Sequence, residues 1–187
     1  MQTKTGHFFI PIILGTARKG RRSEHAARFV FEEVKKREGV ETVFVDVRDF
    51  RLPATDDSGE SEAAEKLAAI TSRADGFIIV SPEYNHGYPG ELKMCLDMSD
   101  GEYAKKPVAV CGVSAGTTGG ARMMEQLRSV LIDLEAVPIL AAVQFPIVQD
   151  LFDTEGKITD DSYRDRVSKL LDELLWYARA LKAAREG

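Results

Sequence analysis

The sequence predicts a doubly wound α/β fold with a five-stranded parallel sheet and helices on both faces, on three grounds. Short apolar runs rich in β-branched residues recur along the chain, as strands buried on both faces require. Between them lie longer segments whose apolar residues repeat at helical spacing. The two kinds of segment alternate, and an alternation of strand and helix builds a parallel sheet.

The first strand is Phe8 to Leu14. Pro11 lies inside it and has no N–H to donate, so ladder pairing is expected to begin at Ile12. Ser23 to Lys36 is a helix with Ala26, Ala27, Val30, Phe31 and Val34 on one face, ended by Gly39. Val43 to Val45 is the second strand, and the Asp- and Ser-rich stretch Arg48 to Gly59 is a loop. An Ala-rich helix from Ser61 to Ala74 leads into the third strand, Gly76 to Val80. The third helix opens at Pro89 and runs to Asp97, with Pro tolerated in its first turn and Glu91 complementing the positive helix end. Pro107 to Val113 is the fourth strand, Gly120 to Leu134 the fourth helix and Val137 to Val143 the fifth strand. The terminal helix, Asp161 to Ala184, repeats Val167, Leu170, Leu171, Leu174 and Leu175 at helical spacing. One domain over residues 1–187 is expected, without repeats or a linker.

Composition narrows the function. With 44% hydrophobic and 29% charged residues the chain is an ordinary globule. A net charge of -5 argues against a nucleic-acid partner, since basic residues cluster only at Arg18, Lys19, Arg21 and Arg22. No apolar run approaches the roughly 20 residues that span a bilayer, and no signal peptide is recognisable, so a cytoplasmic protein is expected. Cys95 and Cys111 form no C-x-x-C pair, and His7, His25 and His86 are scattered. No metal site is expected, and Cys111 reads as a small core residue.

Three of the five strands deliver Gly-containing loops to one rim, where ligands of such sheets bind. After the first strand, Gly15-Thr16-Ala17-Arg18 and Ser23 at the start of the next helix offer hydroxyls, a fixed cation and a positive helix end, which suits a phosphate. No G-K-[ST] follows, which excludes a P-loop nucleoside triphosphatase. Lys19 and Arg21 read equally well as a solvated basic turn, and Arg21 or Arg22 as readers of a 2'-phosphate. After the third strand, SPEYNHGYPGELK (Ser81 to Lys93) sets backbone amides among Pro82, Tyr84 and Tyr88, as a flat ring requires. After the fourth strand comes SAGTTGG, Ser114 to Gly120.

These three motifs resemble the NAD(P)H-dependent FMN reductases of flavodoxin-like fold. GTARKGRRS is similar to that family's phosphate loop with Thr16 in place of Ser, PEYNHGYPGELK to its P-E-Y-N loop and SAGTTGG to its flavin-edge loop. Met94 departs from the Asn usual in the family. The resemblance implies a sheet of strand order 2-1-3-4-5 and FMN as cofactor, with NADPH or NADH as co-substrate. It implies that Thr16, Arg18 and Ser23 serve the phosphate. Backbone groups of Glu83, Tyr84 and Asn85 would meet the polar edge of the ring, with Pro82 and Tyr84 packing beside it. Ser114, Gly116 and Thr117 would close over the ring. The reaction implied is hydride transfer from NAD(P)H to FMN N5, followed by electron delivery to a quinone, flavin, azo compound or metal ion, with no catalytic acid or base in the protein. A homodimer or homotetramer is implied as well, with Met94, Met98, Met123, Met124 and Leu127 available to core or interface.

Two other functions compete. An electron-carrier flavodoxin would use protein partners in place of nicotinamide, but such carriers have Thr/Ser-rich phosphate loops and more acidic surfaces. A flavin-free scaffold of the same fold would be colourless.

Overall fold

A computed structural model of the chain describes residues 7–50, 61–99 and 101–187. The elements run β1 (Phe8–Phe9), β2 (Ile12–Leu14), α1 (Ser23–Lys35), β3 (Val40–Glu41), β4 (Phe44–Asp46) and a 3-10 turn at Val47–Phe50. They continue with α2 (Glu62–Arg73), β5 (Phe77–Pro82), α3 (Gly90–Asp97), β6 (Pro107–Val113) and α4 (Ala121–Asp133). The chain closes with β7 (Val137–Phe145), α5 (Val148–Leu151) and α6 (Ser162–Glu186). Residues 51–59 of the expected polar loop lie outside the described residues.

Pro11 splits the first strand as its missing donor demands. β1 pairs with β3, and β2 takes up a place between β4 and β5 from Ile12 onward. The proline still contributes an acceptor, since the Ile78 amide donates to its carbonyl at 3.1 Å. The main sheet is all parallel in the order β4-β2-β5-β6-β7, which is 2-1-3-4-5 in the numbering of the five expected strands.

Alternation along these strands feeds two cores. Ile12, Leu14, Ile78, Val80, Ala109, Cys111 and Val113 point to one face, against α1 and α6. Ile13, Phe77, Ile79, Val108 and Val110 point to the other, with Leu67 of α2, Leu92 and Leu96 of α3 and Leu127 of α4. A strand covered on both sides has no polar position, which explains the unbroken apolar runs. Each such Ile or Leu contributes roughly 1.5–3 kcal/mol by leaving water. Met98, Met123, Met124 and Leu127 are buried in the second core, so they belong to the fold rather than to a surface. The exposed large apolar residues include Ile132, Leu140 and Trp176.

β7 is longer than the sequence suggests, reaching Phe145, and its register against β6 shifts between Val108 and Val110. The extra residues on this strand form a bulge. There Glu173 of α6 accepts the Ala141 amide at 3.1 Å, which occupies an edge donor that would otherwise face open pairing.

A cleft at the carboxyl ends of the central strands

The chain reverses its direction of growth across the sheet between β2 and β5, and the loops after β2, β5 and β6 meet there, where a crevice is expected. A cleft of about 310 Å³ is walled by Arg18 to Ser23 from the first loop, Pro82 to Tyr84 from the second, and Val113 to Ala115 and Val148 from the far side. Of the residues singled out in the sequence, Arg18, Ser23, Pro82, Glu83, Tyr84 and Ser114 line it. Asn85 lines a second, open cleft of about 670 Å³ with Tyr88, Pro89, Gly90 and Glu91. Arg18, Glu83 and Tyr84 border both. Thr16 is fully buried behind the wall, whereas Gly116 and Thr117 are exposed on the third loop beyond it.

The first loop leaves the sheet at Gly15, whose amide donates to the Val80 carbonyl at 2.9 Å. A Cβ there would sit 2.9 Å from Leu92 Cδ2 and 3.1 Å from Ser81 Cβ, so a larger residue would push the Leu92 side chain aside where β2 meets α3. Thr16 Oγ1 lies 3.1 Å from the Tyr84 hydroxyl and accepts the Arg18 amide at 3.3 Å. The Arg18 guanidinium stands over the Tyr84 ring, 5.5 Å from its centre. Thr16 thus fixes the ring of the second loop, a role that residue types alone do not reveal.

Arg21 departs from both sequence readings. It is neither solvated nor free to meet a phosphate: its side chain is 1% exposed and locked to Asp46 at the end of β4, with one guanidinium contact at 2.8 Å. It also donates to the Thr16 carbonyl and, at 3.3 Å, to Glu24. Burial alone would raise the Asp46 carboxyl, but the Arg21 hydrogen bond, the Arg48 amide and the cationic charges outweigh it and hold Asp46 below the usual carboxylate range. Ser23 departs from its expected role in another way. It is the first residue of α1 rather than its cap; Arg22 holds the cap position, without a side-chain hydrogen bond. The Ser23 hydroxyl is buried and has no partner among the described residues. An orphaned hydroxyl beside Arg18 at a helix start fits the tail of a phosphorylated ligand.

In the second loop, Tyr84 and Gly87 exchange backbone hydrogen bonds at 2.9 and 3.0 Å around Asn85 and His86, whose φ values of 49° and 69° make a type I' turn. Two of the three amides expected to face a ring are therefore spent, since Glu83 donates to Val113 and Tyr84 to Gly87. The Glu83 side chain is occupied too. Its carboxylate accepts the Arg122 and Met123 amides at 3.2 and 3.4 Å and the Arg122 guanidinium at 3.2 Å, which caps α4 from a distant loop.

The third loop is held from behind by a segment assigned to no element in the sequence reading. Ile147 and Val148 donate their amides to the Gly116 and Ser114 carbonyls at 3.0 and 3.1 Å. The Ser114 hydroxyl donates to the Gly116 carbonyl at 2.7 Å, so it is not free for a ligand. Val148 opens the four-residue helix α5 and contributes an apolar wall; the Phe145-Pro146-Ile147-Val148 run was its only signal. At Gly112 a Cβ would meet the Gly119 carbonyl oxygen at 2.3 Å, so the glycine is what allows this loop to fold back onto β6.

Comparisons with known proteins give the family and the fold. The family model described as NADPH-dependent FMN reductase matches residues 10–150, a span that holds all three loops. A quinone reductase of Escherichia coli strain K12 is 30% identical over 165 residues, covering 83% of this chain and 87% of that protein. An NADPH azoreductase of Bacillus sp. strain OY1-2 is 26% identical over 179 residues, covering 94% and 95%. Among solved structures, a flavoenzyme NAD(P)H:(acceptor) oxidoreductase of Paracoccus denitrificans superposes with a TM-score of 0.78 at 21% identity, covering 92% of this chain and 98% of its own. That likeness shows the flavodoxin-like fold, and the match of the family model over most of the chain shows that this protein belongs to the NADPH-dependent FMN reductase family of oxidoreductases.

Proposed function

We propose that the protein, acting over residues 1–187 as one unit, is an FMN-dependent NAD(P)H oxidoreductase whose electrons go to a small-molecule acceptor of the quinone, flavin, azo or metal-ion type. The observation that carries this reading is the buried Ser23 hydroxyl, without a partner among the described residues, beside Arg18 at the start of α1, with Tyr84 on the opposite wall. Arg18 and Ser23 hold the phosphate of FMN, and Thr16 keeps Tyr84 in place behind the ring. Pro82, Glu83, Tyr84 and Asn85 form one border of the ring site, and Ser114, Gly116 and Thr117 the other. FMN held there would supply hydride-accepting chemistry at N5 and a source of electrons for the second substrate.

The protein's own task is placement. The second cleft, separated from the first by the Arg18–Tyr84 pair, is the space for nicotinamide and then for the acceptor in alternation. No acid or base is needed for hydride transfer, and none is assigned. Assembly as a homodimer or homotetramer, cytoplasmic location and absence of nucleic-acid or membrane partners complete the proposal. Among the described residues no helix is long and apolar enough to cross a membrane.

The test is reconstitution with FMN followed by anaerobic NADPH or NADH. Loss of the oxidised flavin absorbance is expected. An unchanged spectrum with bound FMN would reduce the protein to a carrier, and failure to take up FMN would leave a scaffold of the same fold.

A further inference from the structure

Three consecutive carbonyls of the first loop are held by two arginines, Arg21 from the loop itself and Arg48 from the 3-10 turn after β4. Arg21, buried against Asp46 of β4, donates to the Thr16 carbonyl. Arg48, in the 3-10 turn that follows β4, donates to the Ala17 carbonyl at 3.2 Å and to the Arg18 carbonyl at 2.6 Å. Asp46 organises both: it takes the Arg21 guanidinium and accepts the Arg48 amide at 3.0 Å. In a planar trans peptide, a carbonyl held on one side turns the next residue's amide to the other. Arg18 spends its amide on Thr16 Oγ1. Among the described residues the amides of Ala17, Lys19, Gly20, Arg21 and Arg22 have no acceptor, and Lys19 to Arg22 line the cleft.

We propose that Asp46, Arg21 and Arg48 form an outer clamp that fixes the first three peptides of the loop, sets the free Lys19 amide at the cleft and so starts an anion nest for the FMN phosphate. They are positioning residues: Arg21 and Arg48 touch the loop's carbonyls, and Asp46 holds the two arginines. The inference rests on the FMN reading above and adds to it how the loop is kept open-handed before the ligand arrives. Successive amides aimed into a concavity bind anions, and an ordered loop avoids the entropy of organising on binding. Arg18 and Ser23 alone would supply a cation and a hydroxyl; the clamp adds the backbone.

The experiment compares FMN with riboflavin, which shares the ring and lacks the phosphate, by quenching of flavin fluorescence on the apoprotein. Arg48→Ala removes two of the three pins from an exposed residue. The pair Arg21→Met with Asp46→Leu removes the third without stranding a buried charge. Both folds are verified by circular dichroism. Titrations run at roughly 0.5 M salt, where attraction between distant exposed charges is screened. In each variant the Kd for FMN is expected to rise about tenfold or more while that for riboflavin stays within about twofold of wild type. Equal loss of both flavins, or FMN affinity unchanged in folded variants, overturns the clamp. Wild-type protein that binds FMN no better than riboflavin would remove both the clamp and the phosphate site on which it depends.

Discussion

The two ends of the parallel sheet differ in how completely they pair their charges. At the amino end, polar groups are turned on the protein itself. Asp75, just before β5, accepts the Phe9 amide at 3.0 Å and pairs with Lys182 of α6 at 3.0 Å. Lys106, just before β6, donates its ammonium to the Thr71 and Ser72 carbonyls at 2.7 and 2.9 Å, closing the end of α2. Arg185 reaches the Lys105 carbonyl at 2.6 Å, which ties down the last turns of α6. At the carboxyl end, among the described residues, Arg18, Lys19 and Arg22 have no carboxylate partner and the Ser23 hydroxyl has no hydrogen-bond partner. At the amino end charge is used to hold the fold; at the carboxyl end the Arg21–Asp46 and Glu83–Arg122 pairs are used the same way, while Arg18, Lys19 and Arg22 are left without an acid.

If that division is right, substitutions at the two ends separate binding from stability. The largest effect is expected from Arg18→Ala, which removes a charge-assisted contact to the phosphate and weakens FMN by about 1.5–3 kcal/mol, roughly ten- to a hundredfold. Its melting temperature should stay within a few degrees of wild type, because Arg18 caps nothing and pairs with no acid. Fluorescence titration and a thermal melt on one preparation read both. A collapse of Tm would show that the loop's cation is structural and erase the contrast.

Asp75→Ala is the mirror case. It strands the Phe9 amide and leaves Lys182 without its acid, at a cost of about 2–3 kcal/mol by urea unfolding. The FMN affinity should be unchanged, since Asp75 lies across the sheet from the cleft. A variant that lost FMN without losing stability would mean that the two ends communicate.

The same contrast explains what was legible in the sequence. Strands β5 and β6 could be read because burial on both faces leaves only apolar residues, and Pro11 announced its own break. The three loops could be read because close backbone approach favours glycine, as at Gly15 and Gly112. Arg21 could not be read. Its partner Asp46 is 25 positions away on a neighbouring strand, and only pairing of β2 with β4 brings Leu14 level with Asp46. Glu83 was hidden for the same reason, its carboxylate capping a helix 39 positions on. Helix α5 is four residues long, too short for any period to show. What sequence periodicity conceals here is long-range charge pairing, and that is the part which shapes the cleft.

Left-handed backbone occurs at both ends, at Lys105 and Glu135 ahead of β6 and β7 and at Asn85, His86 and Ile147 beyond β5 and β7, and only the last of these is β-branched. Ile147, on the segment behind the third loop, holds φ at 45°, a left-handed conformation that a β-branched residue adopts at a cost. Ile147→Gly is expected to relieve about 1 kcal/mol of that strain, offset in part by lost packing, for a net gain below about 1 kcal/mol. The comparison is sharpened if stability rises while flavin binding weakens, because the rigid hold of Ile147 and Val148 on the loop's carbonyls would then be a device of the site. A gain in both would make the strain incidental.

A pH dependence is also expected, and it arises at the amino end. Burial, then the nearby Arg185 charge, push the Lys106 ammonium down to about 8, against partial support from Asp75 and Glu102. In the unfolded chain the same group titrates near 10.4. Between those values the unfolded state binds more protons than the folded one, so Lys106 makes stability rise with pH across that window; below about 8 the charge is present in both states and its burial penalty is constant. Cys95 and Cys111 act in the other direction. Burial raises both thiols to about 12, so the stability they contribute below their ordinary value near 8.5 is lost progressively as pH climbs above it. The lysine is therefore read as a difference, wild type minus Lys106→Met, by urea unfolding between about pH 7.5 and 10, because the thiol contribution cancels between the two. That difference should move in favour of wild type as pH increases, with FMN affinity flat over the same range in both proteins. A difference that does not change with pH would mean that Lys106 keeps its full charge inside the fold, held by the Thr71 and Ser72 carbonyls more strongly than burial opposes it.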